Sequence, residues 1–109
     1  MARLLLMRKN CAPKQVELCG ERTLVGRDAS NDLRIDHPQV SRHHVEFRVE
    51  GATTWLIDLG SRNGTLVNGR LARQRALQHG DVIGIGDCDI RFLTRHSQFE
   101  LPKDLALAD

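Results

Sequence analysis

The segment HVEFRVE, residues 44–50, decides the fold class. Its side chains alternate with period two, placing Val45, Phe47 and Val49 on one face and His44, Glu46, Arg48 and Glu50 on the other. Successive side chains of a strand point to opposite faces, so this pattern predicts a β-strand with one side buried. TTWLIDL, residues 53–59, repeats the pattern and predicts a second strand with Trp55, Ile57 and Leu59 facing inward. Between them lies EGATT, residues 50–54, which reads as a hairpin turn.

Outward from this pair the same grammar continues. RLLLMRK (3–9), QVELC (15–19), TLVG (23–26), LRI (33–35), TLVN (65–68), DVIGIG (81–86) and CDIRFLTR (88–95) are short apolar runs separated by Gly, Asn, Asp and Pro. CAPKQ, residues 11–15, reads as a hairpin turn, and VNGR, residues 67–70, carries the Asn-Gly pair that favours a two-residue hairpin. No run between strands is long enough for a helical crossover, so the chain predicts an all-β antiparallel sandwich or barrel. The final stretch, HSQFELPKDLALAD, lacks the strand pattern and reads as a short helix after Pro102, a tail or the start of a linker.

Bulk properties narrow the function. The 109 residues suffice for one domain with one core. A net charge of +2, with no block of five or more Lys and Arg, predicts neither nucleic-acid nor membrane binding. Cys11, Cys19 and Cys88 are odd in number and widely spaced, which suggests reduced thiols and a cytoplasmic protein rather than a disulfide framework or zinc ribbon. MARLLLM is too short for a signal-peptide core or a membrane span.

Three loops carry the unusual residues: VGRDASNDLRI around Gly26 and Arg27, VSRHH from Val40 to His44, and GSRNGTLVNG from Gly60 to Gly69. If they gather at one end of a sandwich, Arg27, Ser41, Arg42, Arg62 and Asn63 surround a shallow electropositive notch. Such a notch suits a phosphorylated side chain, which carries about −1.5 to −2 charges and three strong acceptor oxygens. Charge-assisted hydrogen bonds contribute about 1.5–3 kcal/mol each, so two or three with peptide contacts suffice for micromolar affinity. Singly, Arg27 also reads as an exposed arginine paired with Asp28, Asp32 or Asp36, and Ser41 as a turn cap.

In order, Gly26-Arg27, Ser41-Arg42-His43-His44, Ser61-Arg62-Asn63-Gly64-Thr65 and Val67-Asn68-Gly69 resemble the signature of the forkhead-associated (FHA) domain family. The resemblance runs from about Leu4 to Leu93. It implies a β-sandwich of about eleven strands, spanning residues 1–95 with a tail or linker over 96–109, and a non-catalytic role in binding phosphothreonine peptides without a cofactor. Carried over to this sequence, it implies that Arg27 contacts the phosphate, Ser41 donates its hydroxyl to it, and Asn63 binds the ligand main chain. Arg42 and Arg62 stand where the family varies; they either add to phosphate binding or reach acidic residues of the peptide. His44 corresponds to a structural histidine bracing the Ser41 loop. Gly26, Gly64, Thr65 and Asn68 read as backbone and turn residues supporting the binding loops.

Three other readings compete. A hydrolase would need Ser41 activated by His43 or His44, with Asp36 or Asp58 orienting the base, yet no Gly-x-Ser-x-Gly elbow is present. A zinc site from His37, His43 and His44 would need adjacent strand histidines to face one ion. The third keeps the fold as a phosphate-independent assembly or dimerisation surface. As to the ligand, Thr23, Thr53, Thr54, Thr65 and Thr94 all lie in or beside predicted strands. A phosphothreonine is therefore expected from another protein, or from a region of the parent polypeptide outside this chain, with an upstream Ser/Thr kinase.

Overall fold

A computed structural model describes residues 2–94; the tail from His96 onward, with the helix considered after Pro102, lies outside the described residues. Eleven strands run in chain order: β1 Ala2–Arg8, β2 Lys14–Glu17, β3 Arg22–Gly26, β4 Leu33–Arg34, β5 Val45–Glu50, β6 Thr53–Asp58, β7 Leu66–Val67, β8 Arg70–Leu71, β9 Gln74–Ala76, β10 Val82–Ile85 and β11 Cys88–Thr94. They form a six-stranded sheet, β2-β1-β11-β10-β7-β8, and a five-stranded sheet, β4-β3-β5-β6-β9. All pairings are antiparallel except β3 with β4, where Val25 lies opposite Leu33. That parallel pair arises because residues 27–32 loop back beside β3 instead of reversing into a hairpin.

The core lies between the sheets. Leu4, Leu6, Ile83, Ile85, Ile90 and Phe92 come from one, Val25, Leu33, Val45, Phe47 and Leu56 from the other. Phe47 and Phe92 are among the largest fully buried side chains, and truncating either to alanine costs about 3–5 kcal/mol. Cys88 also lies in the core, and burial pushes its thiol up to about 11, which leaves it inert; Cys11 and Cys19 are exposed.

β5 is buried on both sides over Val45–Phe47. Val45 and Phe47 face the core as expected, while Glu46, 2% exposed, is covered on the outer face by Arg22 at 3.2 Å and Arg48 at 2.7 Å. The face of β6 is the reverse of the expectation. Phe47 lies opposite Leu56 and Val49 opposite Thr54, so Leu56 and Thr54 point into the core. Trp55, opposite Arg48, and Ile57, opposite Glu46, are half-buried on the outer face, and Leu59 is exposed. Register with β5 overrode the size of the apolar side chains.

The hairpins expected at 11–15, 50–54 and 67–70 join β1 to β2, β5 to β6 and β7 to β8. In the last, Asn68 at φ 52° and Gly69 at φ 84° occupy the left-handed region that a two-residue hairpin with the strands' own twist demands. β8 and β9 carry the chain from one sheet edge to the other.

Candidate phosphate-binding notch

The segments after β3, before β5 and after β6 emerge at one end of the sandwich, because Val25, Val45 and Asp58 lie in one register across the five-stranded sheet. Main-chain bonds weld them together. The Arg27 amide donates to the Ser41 carbonyl at 2.9 Å, Asp28 to the Arg42 carbonyl at 3.2 Å, His44 to Val25 at 2.9 Å and Leu59 to His44 at 2.9 Å.

Gly26 sits where the first two segments touch. A Cβ built there would stand 2.1 Å from the Arg42 carbonyl oxygen, so a side chain is sterically excluded. Asn31, only 8% exposed, bridges the same junction, its amide donating to the Asp28 and Arg42 carbonyls at 2.7 Å each. Its carbonyl oxygen lies 3.1 Å from His43 Nδ1.

His44 is fully buried between the second and third segments. Its Nδ1 accepts the Ser41 amide at 3.1 Å, and its Nε2 lies 2.9 Å from the Gly64 carbonyl, a geometry that fixes the neutral tautomer with the proton on Nε2. Asp58 organises the third segment. One oxygen accepts the Gly60 and Ser61 amides, both at 2.8 Å, and the other accepts the Ser61 and Thr65 hydroxyls, both at 2.6 Å. Burial raises its carboxyl pKa, but these four bonds together outweigh that and hold it below the ordinary value.

The result is a depression of about 250 Å³ lined by Arg27, Pro38–Arg42, Arg62 and Asn63. All five residues expected to line a notch meet there. Ser41 Oγ accepts the Arg62 amide at 3.0 Å, which leaves its hydroxyl hydrogen available for a ligand, and Asn63 Nδ2 donates to the Gln39 carbonyl at 2.9 Å. Among the described residues no carboxylate pairs with Arg27, Arg42 or Arg62. The acids near Arg27 are engaged elsewhere: Asp32 accepts the Leu24 amide, Asp36 faces Arg34 at 3.8 Å, and Asp28 caps Ser30. The Ser30 bonds, helped by the nearby charges of His43 and Arg42, hold the exposed Asp28 carboxyl below its usual value.

The remaining residues take definite places. Gly64, at φ 85°, and Thr65 belong to the Asp58-held loop. Asn68 lies away from the notch: its side chain accepts the Val82 amide at 3.0 Å and donates to Asp81 at 3.0 Å, tying the β7–β8 turn to β10. The hydrolase and zinc arrangements lack their geometry. His44 meets the Ser41 amide rather than its hydroxyl, and its other ring nitrogen is spent on the Gly64 carbonyl; Asp58 is spent on its loop; and among the described residues no three His, Cys, Asp or Glu side chains gather as a metal site would require. Asn31 and the loop role of Asp58 are the residues that sequence reasoning missed; the signal for Asp58 was its place three residues before Ser61 and seven before Thr65.

Comparison with known proteins places the fold. The family model described as the FHA domain matches residues 23–86. The glycogen accumulation regulator GarA of Mycolicibacterium smegmatis is 42% identical over 72 residues, covering 66% of this chain and 46% of that protein. An oxoglutarate dehydrogenase inhibitor of Corynebacterium efficiens is 41% identical over 71 residues, 65% of this chain and 50% of that protein. The chain thus spans about half the length of these curated relatives. Among solved structures, the FhaA FHA domain complexed with an intracellular domain of another protein superposes with a TM-score of 0.78 at 32% identity, covering 84% of this chain and 99% of that one. A second, from a study of phosphothreonine-dependent FHA domain interactions, gives 0.77 at 30% identity, covering 85% and 97%.

Proposed function

The chain belongs to the FHA domain family, and from that premise we propose that it is a non-catalytic module that recognises threonine-phosphorylated peptides in regulatory protein–protein interaction. The observation that carries this reading is the notch itself: three guanidinium groups without ion-pair partners among the described residues, a serine hydroxyl free to donate, and an asparagine amide at the rim. Arg27 and Ser41 hold the phosphate. Asn63 exchanges its bond to the Gln39 carbonyl for bonds to the ligand main chain. Arg42 and Arg62 add charge around the phosphate or meet acidic neighbours on the peptide. Gly26, His44, Gly64 and Thr65 keep the loops in register, and Asn68 acts further off by fastening the β7–β8 turn. The binding module is the unit of residues 1–95, with 96–109 as tail or linker.

Chemically, the site is built to bind and not to turn over. It is shallow and open to water, and His44 accepts the Ser41 amide and not its hydroxyl. The relatives are named a regulator and an inhibitor, which supports action through binding. The ligand comes from outside the described fold: Thr23, Thr54 and Thr65 are buried, and Thr53 and Thr94 lie within strands. A threonine-phosphorylated protein, or a distant part of the parent polypeptide, supplies it after an upstream kinase has acted. The setting is cytoplasmic, without nucleic-acid or membrane contact.

A degenerate phosphothreonine library, with its unphosphorylated and phosphoserine counterparts, titrated against wild type and Arg27→Ala, tests the proposal. Micromolar binding that requires both the phosphate and Arg27 is expected. A folded protein that binds no member in a phosphate-dependent way would overturn it and favour the phosphate-independent assembly surface.

A further inference from the structure

Beside the notch lies a larger depression of about 570 Å³, bounded by Asp58, the 60–65 loop and Leu71–Arg73. It shares Arg62 and Asn63 with the notch, so the two depressions flank that pair of residues. Its floor offers a ligand little, because both Asp58 oxygens and the hydroxyls of Ser61 and Thr65 are consumed by one another. Arg62 and Arg73, however, are exposed and lack a carboxylate partner among the described residues. Leu71 lines the same space, 77% exposed on the short strand β8. A single exposed leucine needs no explanation. One that lines the same concave surface as two guanidinium groups without carboxylate partners among the described residues matches a side chain with an aliphatic stem and an anionic head, since long side chains lay their methylenes on apolar surface and keep the charge outside.

We infer that this cleft is a second subsite of the same ligand, reading a glutamate side chain close in sequence to the phosphothreonine; the inference rests on the phosphopeptide reading of the notch. The carboxylate meets the Arg73 and Arg62 guanidinium groups, whose planar forks match it, and the methylenes lie on Leu71. Arg62 is thereby shared between the two subsites, and Arg73 belongs to the second alone. The main-chain bond that holds this wall of the cleft, from the Asp58 amide to the Arg73 carbonyl at 2.8 Å, is kept in any substitution of Arg73.

The test uses the full chain and a phosphothreonine peptide in an alanine background, with one glutamate walked through each position on either side. Within each protein, the readout is the ratio of affinities for the glutamate and alanine peptides. In wild type one position is expected to give roughly a tenfold gain, equivalent to about 1.4 kcal/mol. That gain is expected to vanish in Arg73→Ala, to survive in part in Arg73→Lys and to shrink in Leu71→Ala. If phosphate and Arg27 are required but no position responds, or the gain persists undiminished in Arg73→Ala, the cleft inference fails while the phosphopeptide reading stands. Loss of phosphate dependence altogether is instead a failure of the underlying reading.

Discussion

Replacing Gly26 with alanine separates a structural glycine from a permissive one. The new methyl would stand 2.1 Å from the Arg42 carbonyl oxygen, 2.8 Å from its carbon and 2.9 Å from Asn31 Nδ2. Reaching even 3.0 Å requires the Arg42 main chain to retreat by about 0.9 Å. The atoms in the way are mostly backbone, so no rotamer change relieves the clash. Retreat stretches the bonds from the Asp28 amide, at 3.2 Å, and the Asn31 amide, at 2.7 Å, beyond useful length. Overpacking costs about 1–3 kcal/mol and each of the two lost bonds about 1 kcal/mol, so Gly26→Ala is expected to lose about 3–5 kcal/mol of stability. At about 4–8 °C per kcal/mol for a domain of this size, Tm falls by roughly 10–40 °C. The remaining folded protein is expected to bind phosphopeptide at least tenfold more weakly, because Arg27 and Ser41 share the displaced junction. Thermal unfolding and fluorescence anisotropy, with Arg42→Ala as the control that keeps the carbonyl, measure both. A Gly26→Ala protein within about 4 °C of wild type and with unchanged affinity would refute the claim that this contact sets the loop positions.

Three further substitutions probe the braces and the notch they support. His44→Phe leaves the Ser41 amide and the Gly64 carbonyl without their partner and is expected to cost about 2–4 kcal/mol in urea unfolding; Ser41→Ala, which keeps that brace, should weaken phosphopeptide binding with less than about 1 kcal/mol of destabilisation. For Asp58, a carboxyl pKa held below 3.8 in the folded state means that its contribution is present above that value and lost as pH falls through the lower folded one. Asp58→Asn is therefore expected to be about 1–3 kcal/mol less stable at neutral pH, with the difference narrowing toward acid. Equal urea midpoints for the two proteins at neutral pH would contradict it.

Legibility in the sequence followed the reach of the forces involved. Nine of the strands announced themselves because an apolar run or a period-two alternation is written within a few neighbouring residues. β8 and β9 did not: two and three residues long and largely exposed, they carry no apolar rhythm, and exist because the chain must pass from one sheet edge to the other. The inward face of β6 was misread for a related reason. Trp55 and Ile57 outweigh Thr54 and Leu56 in apolar size, yet pairing with Phe47 in β5 selects Leu56 for the core.

By itself, the sequence determined the all-β class, the hairpins and five of the eight residues that line the notch, since strand periodicity, turn chemistry and the ordered loop motifs are all local. Tertiary structure alone decided what holds those residues together: the Gly26–Arg42 contact, Asn31 across the same junction, and His44 between Ser41 and Gly64. These contacts join residues about ten to twenty positions apart, and which distant partner a side chain meets depends on strand register and sheet packing, neither of which any short stretch of chain encodes.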